Sequence, residues 1–288
     1  MTDFNATGMK RAALINDLSC MGKCSLSVAL PIVSAFGVEG VALPTAVLST
    51  HTADGFGEYA VRDMTEDMKA FIAHWKRLNI KFDCIYTGFF NSVEQLDIAE
   101  NFIRDFGGND CMVIVDPVLG DNGALYGCFD DAHRDAMRRL CALADVITPN
   151  RTEASLLTGI DMNEGTDKIL NALDVPNVII TGVRREGEIG YAARFGDERT
   201  EFFRPWLDTI LHGTGDVFTS ALCGELMNGR DMRQSFESAA EFCDECIKET
   251  AARQPSHWYG LAFEEILRRR LFGNEQCYNG KRSVPVVR

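Results

Sequence analysis

The chain predicts an α/β protein of three layers, a mostly parallel central sheet with helices on both faces. Two observations carry that prediction. Short, nearly continuous apolar runs alternate with longer amphipathic stretches along most of the 288 residues. Strands buried on both faces read as unbroken apolar runs, and helices make the crossovers between them. The second observation is that five of the runs end in polar residues or glycine: Asn16-Asp17, Thr87-Gly88, Asp116-Pro117, Thr148-Pro149-Asn150 and Thr181-Gly182. In open parallel sheets ligands bind beyond the carboxyl ends of the strands, so these ends should converge on one crevice.

Taken in order, strands are expected at 11–16, 40–43, 84–87, 111–115, 146–148, 178–181 and 190–194. Their cores, such as CMVIV and NVII, are rich in Val and Ile and too short for buried helices. Helices are expected at 24–35, 65–78, 93–106, 130–143, 153–158 and 166–173, where apolar residues recur at helical spacing. From 217 to 272 the pattern is helical only, broken at Gly229-Arg230 and Gln254-Pro255. No Pro-, Gly- or Ser-rich linker divides the chain and no internal repeat is present. One domain over 1–288 is expected, with 1–9 as an extension and 274–288 as an irregular tail.

Composition narrows the function classes. Hydrophobic residues make up 46%, enough for a large core, and no apolar run reaches the eighteen residues a membrane span needs. A net charge of −13 argues against a nucleic-acid partner, which calls for concentrated Lys and Arg. The ten cysteines sit mostly among apolar neighbours, and MTDFNATGMKR has no apolar signal segment, so buried thiols in a reduced, cytoplasmic protein are expected. Cys243-x-x-Cys246 has ligand spacing, but it lies in the helical AAEFCDECIKET without a second CxxC or a His pair.

The most informative run is His212-Gly213-Thr214-Gly215-Asp216, followed at once by an apolar, helix-compatible segment. Two glycines around a threonine suit a loop that turns backbone N–H groups toward an anion at a helix N-terminus. A carboxylate there would repel the anion unless it faces a second reactant. Asp216 then reads as the base for a hydroxyl that attacks a phosphate, with Gly213, Thr214 and Gly215 as the anion hole. Asp116 and Glu153 are hard oxygen donors at strand ends, suited to Mg²⁺ directly or through water. Asn150 and Glu153 also have the spacing of a capping box. Gly22-Lys23-Cys24-Ser25 fails as the end of a P-loop, because Cys follows the lysine. Asp17 is placed to meet a substrate hydroxyl or ring nitrogen. His51, in a polar loop near Gly55 and Gly57, suits a flap over a small ring. Met21, Phe56, Phe89, Phe90 and Trp206 are candidate walls for an aromatic substrate.

Several of these segments together resemble a known superfamily. GTGD before a helix, DPVLGDNGALY after a strand and DVITPNRTEASLLTG are similar to the ribokinase-like kinases. LSTHTADGFG, IYTGFFNS and RPWLDTILHGTGD resemble the substrate loops and nucleotide approach of the pyridoxal kinase branch. The resemblance implies ATP and Mg²⁺ as cofactors, with a monovalent cation as a further candidate, a B6 vitamer as acceptor and a homodimer. Carried over by residue, Asp216 matches the base. Asp116, Thr148, Asn150 and Glu153 match positions around the phosphates and Mg²⁺, and Thr181 and Gly182 match the nucleotide-side strand end. Thr45 and His51 match the loop over the pyridine ring. The chain departs from the well-known members at Asp17, where they carry serine, and at Phe89, where they carry tyrosine. Asp17 implies a preference for pyridoxamine or pyridoxine over pyridoxal. A hydroxymethylpyrimidine acceptor and a non-catalytic vitamer binder are the alternatives.

Overall fold

Nine strands form one sheet in the computed structural model, which describes Asn5 and residues 8–208, 211–255 and 257–273. The expected tail, 274–288, and most of the expected extension lie outside the described residues. In chain order the elements are β1 (Arg11–Ser19), α1 (Leu26–Ala35), β2 (Glu39–Leu48), β3 (Val61–Asp63), α2 (Thr65–Arg77), β4 (Cys84–Thr87), α3 (Val93–Phe106), β5 (Met112–Val115), β6 (Gly120–Asp121), β7 (Ala124–Leu125), α4 (Asp131–Cys141), β8 (Val146–Ile147), α5 (Arg151–Thr158), α6 (Thr166–Ala172), β9 (Asn177–Arg185), β10 (Glu188–Phe195), β11 (Glu198–Pro205), α7 (Thr214–Met227), α8 (Met232–Ala251) and α9 (Phe263–Phe272). The sheet order is β11-β10-β9-β8-β5-β4-β1-β2-β3. The strands from β9 through β2 pair in parallel, and β3, β10 and β11 add antiparallel edges.

Period-2 alternation divides the core. Ala13, Ile15, Ile85 and Val115 face α2 to α6, whereas Ala12, Leu14, Tyr86 and Ile114 face α1, α7, α8 and α9. The three layers agree with the sequence pattern. Among the described residues no helix is long and apolar enough to cross a membrane. The nine cysteines described are free, and Cys243 and Cys246 are buried in α8.

The sheet departs from the expected strands at several points: β3 is an added edge strand, and β1 and β9 run on to Ser19 and Arg185. β2 continues through Pro44 to Leu48, five residues past the expected end. β10 runs antiparallel to β9 and pairs with β11, whose sequence ERTEFFRP has no apolar run and forms an edge with none of its residues fully buried. A small β6–β7 hairpin turns on Asn122 and Gly123, with φ of 52° and 84°. Asn-Gly is a strong two-residue hairpin signal, and it was present in the sequence. Helix α1 begins at Leu26 rather than residue 24, because Ser25 holds φ at 57°.

Candidate active site

Gly213 begins the anion loop in a left-handed conformation, φ 76°, at the N-cap of α7. A methyl group there would stand 2.2 Å from the Lys23 carbonyl oxygen, so the position accepts only glycine without rearrangement. Its own carbonyl accepts the Val217 N–H at 3.0 Å and starts the helix. The first-turn amides of α7 have no helical partner and carry the positive end of the dipole. A methyl group on Gly215 would lie 3.8 Å from Asp116 Oδ2, so the loop borders that carboxylate.

Three acidic side chains meet at the loop. Asp216, in the first turn of α7, opens partly to the crevice and is otherwise walled by protein. Burial raises its pKa to about 7, against a hydrogen bond from the Ser25 backbone, and the Asp17 charge raises it further. Asp116 is buried, with no hydrogen bond to its carboxylate among the described residues. Burial pushes its pKa well up, and Glu153 and then Asp216 add to the rise. Asp216 therefore feels the charge of Asp17, in β1, and contributes to that felt by Asp116, just after β5.

The side toward β8 and β9 is held by local bonds. Thr148 is buried and its hydroxyl accepts from Thr219 on α7 at 3.0 Å. Asn150 and Glu153 form a capping box on α5. Asn150 Oδ1 accepts the Glu153 N–H at 2.9 Å, and Glu153 Oε2 accepts the Asn150 N–H at 2.7 Å. The other Glu153 oxygen accepts the Leu119 N–H at 3.2 Å, which ties the loop after β5 to α5. Burial pushes Glu153 up to about 8 despite these amides. Both Glu153 oxygens are thus engaged by backbone amides. Thr181 sits beside Asn150 in a parallel bridge, and its N–H donates to the Pro149 carbonyl at 2.9 Å. Gly182 has φ 69° where the β9–β10 register shifts, the backbone a bulge glycine adopts.

On the opposite side, Asn16 Oδ1 accepts from the Asp17 N–H at 2.9 Å and the Phe89 N–H at 2.8 Å, joining β1 to the loop after β4. Thr45 is fully buried and its hydroxyl donates to the Phe89 carbonyl at 2.9 Å. That donor is spent on the scaffold rather than on a ligand. His51 differs from the expected flap contact in the same way. Its Nδ1 accepts the Ala53 N–H at 3.1 Å, so Nε2 carries the proton and donates to the Tyr259 carbonyl at 3.0 Å. Phe56 and Trp258 pack on this imidazole, with Phe56 and Trp258 centroids 4.8 Å apart. Phe89 is half-buried against Phe129. Phe90 belongs to the core, Met21 is exposed, and Trp206 is exposed beyond β11 with Arg184 over its ring.

Sequence reasoning missed the segment 23–25. Lys23 pairs with Glu264 and lies over the Phe263 ring, so it is turned toward α9 and away from the anion loop. Cys24 and the Lys23 carbonyl pack on Gly213. Ser25 holds φ at 57° and bridges Leu18 in β1. The failed P-loop match was the only signal there.

A model of the phosphomethylpyrimidine kinase family matches residues 30–260. The chain belongs to that family. Its fold is the ribokinase-like α/β fold. A Bacteroides thetaiotaomicron protein crystallised with pyridoxal is 36% identical, with TM-score 0.85 over 93% of this chain and 98% of that one. Pyridoxal kinase from Lactobacillus plantarum is 33% identical, with TM-score 0.85 over 91% of this chain and 96% of that chain. Pyridoxine kinase of Bacillus subtilis is 28% identical over 255 residues, 84% of this chain and 92% of the relative.

Proposed function

We propose that the protein is an ATP-dependent kinase of vitamin B6, transferring the terminal phosphate of ATP to the 5-hydroxymethyl group of pyridoxal, pyridoxamine or pyridoxine. The observation that carries this reading is the position of Asp216, in the first turn of α7 directly after the left-handed Gly213 and the Gly215 that borders Asp116. Kinship with pyridoxal and pyridoxine kinases supports the acceptor class.

In this reading the acceptor ring lies on the Asp17 side, under the loop that Thr45 and His51 brace, with Phe89 as a wall. The acceptor hydroxyl approaches Asp216, which takes its proton as the new O–P bond forms and the bond from the transferred phosphorus to the ADP oxygen breaks. The amides of Gly213, Thr214 and Gly215 hold the oxygens of the transferring group. Thr148, Asn150, Thr181 and Gly182 border the rest of the nucleotide phosphates. Three neighbouring acidic groups without a basic partner fit a divalent cation in charge. Among the described residues no three acidic, His or Cys side chains form a complete ligand set. Asp116 would hold Mg²⁺ and Glu153 would act through water, the ion completing its shell with phosphate oxygens and water. Bound there, Mg²⁺ would neutralise charge on the phosphates. A monovalent cation, a cytoplasmic location and a homodimer complete the reading; sedimentation velocity tests the last.

Measuring ATP consumption with each vitamer is the direct test. Asp216→Ala is expected to lower kcat by about 10²–10⁴-fold while vitamer binding, read by calorimetry, stays within a few-fold. Loss of binding with turnover retained would refute the role of Asp216. The second reading, a hydroxymethylpyrimidine acceptor, rests on the family match and on a Bacillus subtilis hydroxymethylpyrimidine/phosphomethylpyrimidine kinase 26% identical over 228 residues. Phosphorylation of that alcohol in preference to the vitamers would establish it. Binding without ATP consumption would point to a vitamer-binding protein.

A further inference from the structure

We propose that His212 is a positioning residue, through which the loop after β2 holds the anion loop in place. His212 directly precedes Gly213, and its ring packs on His51 with centroids 5.4 Å apart and planes inclined at 44°. His51 is a rigid support for that ring. Its backbone N–H donates to the Met21 carbonyl at 3.0 Å, and both imidazole nitrogens are bonded, one to Ala53 and one to Tyr259. The Phe56 ring meets it edge-on, with centroids 4.8 Å apart at 89°. Because the Ala53 N–H takes the Nδ1 lone pair, the imidazole is neutral and His212 packs on it without charge repulsion.

A second route reaches Gly213 from the same imidazole. The Tyr259 carbonyl that accepts His51 Nε2 also accepts the Lys23 N–H at 3.1 Å. The Lys23 carbonyl in turn confines Gly213, where a methyl group would stand 2.2 Å away. Gly213 is thus held through its preceding residue and through Lys23, and both holds lead back to His51. The loop needs such holding, because glycine loses more backbone freedom on ordering than any other residue and two of them flank Thr214. On the helix side, the Val217 bond to the Gly213 carbonyl fixes the chain. On the other side the His212 ring does so. Backbone donors stabilise developing charge only as well as they are preorganised, so slack in this loop costs rate.

This inference rests on the anion loop as the holder of the transferring phosphate, so its test includes a measurement without turnover. His212→Ala should weaken binding of a non-hydrolysable ATP analogue at least about tenfold, with ADP affinity held within about twofold, both by calorimetry. It should lower kcat at least about tenfold and leave the acceptor KM within about threefold. Equal weakening of both nucleotides, or of neither, would reduce His212 to a space-filling role and overturn the proposal. His51→Ala removes the support beneath His212. The double variant should therefore be no more than about threefold slower than the slower single variant, whereas losses that multiply would mean the two act separately and also overturn it. His212→Phe restores a ring against His51 and keeps the packing that the alanine variant gives up. It should recover analogue affinity and kcat to within about threefold of wild type, and a loss as large as tenfold rejects the ring contact as the coupling. Wild-type ATP consumption with the vitamers tests the kinase reading itself, apart from these differences.

Discussion

An aspartate in water gives up its proton near pH 4 and is a poor base for an alcohol. In Asp216, burial raises that point to about 7, with the Asp17 charge adding to it. The protonated form cannot accept the acceptor's proton, so kcat/KM should fall about tenfold per pH unit below about pH 7. Rate profiles between pH 5 and 9 check this, and a flat acid limb to pH 5 would exclude Asp216 as the titrating base. Because the folded pKa lies above the unfolded one, this group's stabilising contribution is present below its unfolded pKa and lost as pH rises through about 7. The free protein therefore ionises its base at a cost in stability over the range where the base works. Asp17, also raised by burial, is the residue most suited to set acceptor choice. A buried carboxylate favours a cationic amine or ring, so pyridoxamine or pyridoxine should exceed pyridoxal in kcat/KM, and Asp17→Ser should reverse or flatten that order. Initial rates on the three vitamers decide it; the same ranking in both proteins would remove Asp17 from specificity.

Loops acquire their roles at the scale of elements. The segment after β2 and the segment before α9 are joined through one imidazole, whose ring nitrogens bond Ala53 and Tyr259. Gly22 and Gly55 let the chain pass close by: a methyl on Gly22 would stand 2.1 Å from His51, and one on Gly55 would stand 2.5 Å from Trp258. His51→Phe preserves the packing on Phe56 and Trp258 but loses both bonds. With each bond worth about 1 kcal/mol net, the acceptor KM should rise roughly five- to thirtyfold while kcat changes less than about threefold. Steady-state kinetics check this, and an unchanged KM would assign the imidazole to packing alone. The Gly213 turn and the α5 capping box were legible as short patterns, because each depends on a few adjacent residues; the Asn122-Gly123 hairpin carried the same kind of signal and was not among the expected elements. The charged edge strand β11 was not, since its strand character comes from pairing with β10 rather than from its own side chains.

Across the whole molecule, the alternation of apolar and amphipathic segments was sufficient for the three layers and the parallel sheet. These follow from periodicity and from where polar residues interrupt it, which any stretch of chain carries by itself. The same local logic pointed to Asp216 and its glycine loop. Nothing local could say that Cys24 and the Lys23 carbonyl would pack on Gly213. Nor could it say that His51 would spend a ring nitrogen on a carbonyl 208 residues away. Those adjacencies arise when the loops after β1 and β2 meet the segments before α7 and α9, and a contact between distant segments leaves no spacing in either one. Chain-local backbone demands and hydrophobic period explain the architecture, while the partners of each polar group were settled by packing, because burial obliges every donor to find whichever acceptor the fold brings near.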